Sequence, residues 1–276
     1  MTNKILFVFF GGYNMAEELW NYNLLTMEKT NFLNKIKKIG DILSYYPTFY
    51  NIQYYLEKNL KIKKFYKKDL TFELNDISFK KGAKDVYNKI NKKYNNIVII
   101  STSIGIHYAI ELSKLIKSTK CSIISIEGSH VGHTAQIKFA STIKEYNEKY
   151  KKYTNNDLQL LIKNKNYEEI NELIGAKLIS QINFKLKKFK CPSLHFQNLI
   201  IKKDMDNKSN DKNILKIKTS EELSKYDKQY KIIWLINKGH VAFGTDTDNI
   251  INNIMNKFFL NYNIWKANIL NIKQNI

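Results

Sequence analysis

Asn96-Ile97-Val98-Ile99-Ile100-Ser101-Thr102-Ser103-Ile104-Gly105 is the stretch whose reading decides the fold. Ile97–Ile100 is an unbroken β-branched run, which suits a strand buried on both faces. Ser101–Gly105 is small and turn-forming, and Ile106–Lys117 then takes up a helical pattern. The next apolar run, Cys121–Ile126, reads as a second strand closing at Glu127-Gly128-Ser129. Strand, tight turn, helix and strand in so short a span make a βαβ unit. Such a unit requires a parallel sheet with helices on its faces.

The rest of the chain extends this pattern in both directions. Ile5–Phe10 reads as a first buried strand, ending at Gly11-Gly12-Tyr13-Asn14, with a helix beginning near Met15-Ala16-Glu17-Glu18. Gly40–Tyr45 suits a second strand, whereas residues 50–80 are lysine- and aromatic-rich and carry no firm periodicity. Lys81–Tyr94 reads as a helix, with Ala83, Val86, Tyr87 and Ile90 on one face. Residues 130–185 lack strand signals and show helical periodicity at Leu158–Ile162 and Ile170–Ile179, so they read as a helical insertion. Strands resume at Ser193–Ile201 and Lys231–Ile236, and a helix over Asp248–Asn261 closes the fold. The expectation is one α/β domain over residues 1–276, its sheet mostly parallel and flanked by helices, with the 130–185 insertion as a cap.

Composition narrows the function classes. With 276 residues and 43% hydrophobic content, the chain can bury a sizeable core and is not a disordered protein. No apolar run reaches the roughly 18–20 residues of a membrane-spanning helix. The Ile5–Phe10 run is too short for a signal peptide, so an intracellular, cytoplasmic location is expected. The two cysteines, Cys121 and Cys191, make no disulfide framework. The formal charge of +20 arises entirely from lysine, without a single arginine. Base readout and bidentate phosphate clamps favour arginine's planar fork, so no specific nucleic-acid partner is expected. Lysine, asparagine and isoleucine share A/T-rich codons, and a compositional bias accounts for much of the charge. Diffuse attraction to polyanions is the remaining physical reading.

The turn after the central strand carries the chemistry. Ser101-Thr102-Ser103-Ile104-Gly105 stands between a buried strand and an amphipathic helix, the setting a nucleophile elbow requires. Ser103 would occupy the strained turn, with small residues two before and two after it where strand and helix backbones pass closely. On these residues the chain resembles the α/β-hydrolase superfamily, in particular its serine esterase, lipase and thioesterase-like members. The family's G-x-S-x-G stands here as S-x-S-x-G, with Ser101 in the first glycine's place.

The resemblance implies further roles. Lys238-Gly239-His240-Val241, after the last strand, resembles the family's loop carrying the catalytic base, which implies His240 in that role. Cys191-Pro192-Ser193-Leu194-His195-Phe196 resembles the Pro-led penultimate strand, whose following loop supplies the acid. Asp204 is the first choice there and Asp206 the second, with Asp211 further along. Glu127 competes, because some members place the acid after the strand following the elbow. Phe9-Phe10-Gly11-Gly12-Tyr13 resembles the oxyanion loop, so backbone N–H groups at Gly12 or Tyr13 would join that of Ile104. The implied function is a serine hydrolase acting on an ester or thioester through an acyl-enzyme. A tyrosine- and leucine-bearing cap would favour a lipid-like acyl group on a small-molecule substrate. The alternative is a catalytically silent hydrolase-fold binding or scaffold protein, favoured by Ser101 and by Phe10 in the oxyanion histidine's place.

Other signals are weaker. His130 and His133 have H-x-x-H spacing, but with Cys191 distant in sequence they fall short of a zinc site's four ligands, so no metal or cofactor is expected. His107 and His195 read as packed histidines. Gly11-Gly12 is no dinucleotide fingerprint.

Overall fold

The computed structural model describes residues 5–12, 15, 20–22, 29–46, 72–90, 94, 96–128, 140–182, 189–199, 230–236 and 250. Among them are strands β1 (Ile5–Phe10), β2 (Asp41–Tyr45), β3 (Asn96–Thr102), β4 (Cys121–Ile126), β5 (Ser193–Leu199) and β6 (Tyr230–Ile236). They form one sheet in the order β2-β1-β3-β4-β5-β6, and every pairing is parallel. Helices among the described residues include α1 (Phe32–Lys37), α2 (Phe79–Lys89), α3 (Gly105–Leu115), α4 (Asn155–Lys163) and α5 (Tyr167–Ser180). A parallel central sheet flanked by helices is therefore present, as the alternation of apolar runs requires. The expected closing helix lies outside the described residues except for Ile250, which is helical and buried.

Where boundaries differ from the sequence reading, local chemistry gives the reason. α2 starts at Phe79 because the Ser78 side chain accepts a hydrogen bond from the Lys81 N–H and caps it. It stops at Lys89 because Ile90 turns extended, at φ −74° and ψ 114°. β3 runs on through Ser101 and Thr102, whose side chains are buried beside Phe10 and Ser125 or Ile126 in the register. Serine and threonine look like turn residues, but here they are strand residues.

Alternate strand residues feed two apolar layers. Leu6, Val8, Phe10, Ile97, Ile99 and Ile123 pack with α2, α3 and α5, whereas Phe7, Phe9, Val98, Ile100, Ile124 and Phe196 pack with Trp20, α1 and Ile250. In the first layer Tyr108 of α3 lies parallel to the Phe10 ring, with centroids 5.5 Å apart, and meets Tyr45 at the end of β2. Burial pushes the Tyr45 phenol up to about 12, so this tyrosine pair stays neutral and packs as core.

α4 and α5 lie within the 130–185 stretch, and α5 is anchored in the first layer. Ile170, Leu173 and Leu178 are fully buried there with the β1 and β3 side chains. Polar links add to this anchorage. Lys177 Nζ donates to the Leu74 carbonyl, Gln181 Nε2 donates to the Ile77 carbonyl at 2.8 Å, and Asn155 Oδ1 accepts from the Leu74 N–H at 2.9 Å. A wide π-type turn at Tyr146–Tyr150 is tied back to α5 by Lys149 to Glu169 (3.1 Å) and Tyr150 to Glu172 (2.9 Å). Leu173→Ala should therefore destabilise the whole domain by about 2–5 kcal/mol. Leu160→Ala, at a position 56% exposed on α4, should cost under about 0.5 kcal/mol. Denaturant midpoints of the two variants check this, and a small effect of Leu173→Ala would detach α5 from the core.

Candidate active site

The strand order itself selects a place on the molecule. From β1 the chain crosses to β2 on one side, and from β3 onward it builds outward on the other side. The crevice beyond the carboxyl ends of β1 and β3 is thus the topological switch point, where open parallel sheets bind ligands. Gly11 and Gly12 stand at the end of β1, and Ser103 stands at the end of β3.

Ser103 has φ of 49°, a left-handed backbone that costs a non-glycine residue about 1–2 kcal/mol. It is half-buried, directly after β3, and α3 begins two residues later. The turn is held by the Ser103 carbonyl accepting from the Ile106 N–H at 3.4 Å and the Ile104 carbonyl accepting from the His107 N–H at 3.1 Å. The α3 N-terminus accordingly points its positive dipole end at this serine. Close backbone approach explains both flanking glycines. A Cβ on Gly105 would stand 2.5 Å from the Phe10 carbonyl oxygen and 2.8 Å from that of Gly11. A Cβ on Gly12 would stand 2.8 Å from Ser103 Cβ and 3.6 Å from its Oγ. The backbone of Gly12 therefore lies against the serine side chain, and Ile104, fully buried, opens the helix on its other side.

Glu127 takes the equivalent position on the next strand. Thr102 pairs with Ile126, so Ser103 and Glu127 are the first residues past the ends of adjacent strands. Glu127 also has a left-handed backbone, φ 51°, is 3% exposed, and donates its N–H to the Phe196 carbonyl at 2.8 Å. A buried carboxylate beside the elbow is a feature of the sheet edge that the sequence showed only as one acid among several. His240, Tyr13, Asp204, Asp206 and Asp211 lie outside the described residues, as do His130 and His133.

Behind the elbow runs a polar row. Ser101, Ser125 and His195 are register partners across β3, β4 and β5, and all three are fully buried. The His195 ring meets Phe189 edge-on at 5.2 Å, and the His107 ring packs on Phe79 at 5.1 Å. Cys121 and Cys191, far apart in sequence, come together at the opposite end of β4 and β5. They are buried and hydrogen-bonded sulfur to sulfur, which together with burial pushes the Cys121 thiol up. The contact between them follows from the pairing of β4 with β5 and not from their spacing in the sequence. Among the described residues no group of three His, Cys, Asp or Glu side chains gathers as a metal site.

No family model matches this sequence, and no curated protein matches it. Solved structures do match. An α/β-hydrolase enzyme from the metagenome of lagoon sediments at Mar Chica, Morocco, aligns with a TM-score of 0.54 at 13% identity, over 94% of this chain and 92% of that one. A hydrolase from Oleispira antarctica aligns at 0.54 and 13%, over 92% and 91%. A lipase-esterase related protein from Clostridium acetobutylicum aligns at 0.51 and 15%, over 91% and 93%. The chain has the α/β-hydrolase fold. In this fold the Ser103 turn joins the central strand to its helix, with β1 and its two glycines alongside.

The strain at Ser103 yields a stability signature. Ser103→Ala keeps the left-handed penalty, whereas Ser103→Gly removes it, so the glycine variant should be more stable than the alanine variant by about 1 kcal/mol. Paired denaturant titrations measure the difference. An alanine variant as stable as the glycine one would mean that the turn is not strained.

Proposed function

We propose that the protein is a serine hydrolase of carboxylic esters or thioesters. Ser103 is the nucleophile and His240 the general base. The observation that carries the reading is the left-handed serine at the head of α3, its side chain against the backbone of Gly12. A chain adopts such a turn at a net cost, and presenting a hydroxyl above the sheet edge is what the turn achieves.

In the proposed mechanism, Ser103 Oγ attacks the acyl carbonyl carbon while His240 takes the hydroxyl proton. The oxyanion is met by the backbone N–H of Ile104 and one at Gly12 or Tyr13, aided by the α3 dipole. His240 then protonates the departing alcohol or thiol, leaving an acyl-serine. Water, deprotonated by His240, attacks the acyl carbon, releases the carboxylic acid and restores Ser103. The acid that orients His240 is one of Asp204, Asp206 and Glu127. Chain order supports the two aspartates after β5, and burial beside the elbow supports Glu127. We further propose that the part of the 130–185 stretch outside the core helix α5 is a cap that favours an apolar, lipid-like acyl chain.

Labelling by a fluorophosphonate checks the assignment. Wild type should react, and Ser103→Ala and His240→Ala should lose reaction by at least about 10³-fold. Among Asp204→Asn, Asp206→Asn and Glu127→Gln, one variant should lose far more activity than the other two, and that one marks the acid. A folded wild-type protein that never labels would instead support the silent binding protein, which Ser101 and Phe10 favour. For the cap, Leu160→Ser with Leu161→Ser should shift the preferred acyl-chain length, and an unchanged preference on p-nitrophenyl esters would remove the cap from substrate selection.

A further inference from the structure

Among the described residues, lysines gather at one end of the sheet. α1, α2 and α3 each run back from the Ser103 end to feed β2, β3 and β4, so their last turns meet at the amino-terminal end of the sheet. Gathered at that end are Lys35, Lys37, Lys38, Lys89, Lys114, Lys117, Lys120 and Lys190, all exposed. Against these eight stand three carboxylates among the described residues. Asp41 accepts from the Tyr94 hydroxyl at 2.5 Å, Glu111 is held by Lys114 at 2.6 Å, and Asp85 is held by Lys81 at 2.9 Å. Lysines in a helix's last turn complement its dipole, which accounts for Lys35, Lys37, Lys89 and Lys114. The dipoles of α1, α2 and α3 do not account for Lys117, Lys120 and Lys190, which lie beyond those helices, Lys120 closing the short 3₁₀ turn Ser118–Lys120.

A second observation concerns apolar side chains. Tyr87, Leu115 and Leu160 are the exposed large apolar residues among those described. Tyr87 and Leu115, each 42% exposed, belong to the last turns of α2 and α3, within the lysine collection. An aromatic ring and an aliphatic chain amid long cationic stems suit a bilayer interface. The stems reach lipid phosphates while the apolar tips enter the headgroup boundary. A nucleic-acid groove would use neither Leu115 nor an arginine-free cation set to advantage.

We propose that this lysine-rich end is a docking face for an anionic phospholipid surface. Bound this way, the protein presents the Ser103 edge away from the lipid, across the roughly 23 Å length of β3. The docking face is independent of the serine-hydrolase reading and would hold for a silent scaffold as well.

Co-sedimentation of the full chain with vesicles tests it. The protein should bind vesicles containing about 30 mol% phosphatidylserine and not vesicles of phosphatidylcholine alone, with binding falling steeply between about 0.1 M and 0.5 M salt. Lys38→Gln, Lys117→Gln, Lys120→Gln and Lys190→Gln combined should weaken binding by more than about a hundredfold, at roughly fivefold per lysine. Lys80→Gln, Lys152→Gln and Lys163→Gln combined, which remove charge elsewhere, should weaken it several-fold at most. Tyr87→Ser with Leu115→Ser should remove the binding that persists at the higher salt. Thermal melts check that all three multiple variants remain folded. Equal losses per lysine from the two sets would overturn the proposal in favour of diffuse net charge. Binding to single-stranded RNA with none to anionic vesicles, or indifference to the Tyr87 and Leu115 changes, would overturn it as well.

Discussion

Everything at the candidate site depends on how closely two backbones can approach. The end of β1 lies against the first turn of α3 so tightly that Gly105 has no room for a methyl group, and Gly12 lies against Ser103 in the same way. That contact sets the direction of α3, and with it the direction of the helix dipole. It also brings the backbone of Gly12 against the Ser103 side chain, where the proposed reaction would develop its negative charge. Because backbone dipoles and a helix terminus need no side-chain reorganisation, the arrangement is preorganised by the fold itself.

The central βαβ unit was legible because its residues have few alternatives. Ile97–Ile100 is a continuous β-branched run, Cys121–Ile126 is a short isoleucine-rich one, and β4 has the bounds that the sequence suggested. Ser103 as a turn residue before a helix was equally legible, since small residues and a glycine at that spacing serve the close approach. Strand order was not, because nothing local in Asn96–Thr102 says that it pairs with β1 on the side away from β2. The meeting of Cys121 with Cys191 follows from that order and was invisible for the same reason. The left-handed backbone of Glu127 carried no signal either, because the glycine that would announce such a turn stands one residue later.

Long-range packing also changes how the 130–185 stretch is understood. Its periodicity indicates helices but not which of them covers the sheet. α5 has buried residues around much of its circumference, including Asn171, which differs from a surface helix with one apolar stripe. α4 buries Leu158 and leaves Leu160 exposed, the asymmetry of a helix that meets the core along one edge. The two helices thus differ in kind although they are neighbours in sequence.

The pairing of β1 with β3 has a consequence for how the chain comes into being. Ile5 finds its partner Asn96 only after the whole intervening segment has been made, and β1 has β2 on its other side. At about 5–20 residues per second, the apolar β1 strand waits roughly 5–20 s in nascent chains with one flank unpaired. During that interval Ile5–Phe10, without a charge or a proline, is an open template for pairing with other chains. The centre of the finished sheet is therefore the part of the molecule most exposed to error while it is being synthesised.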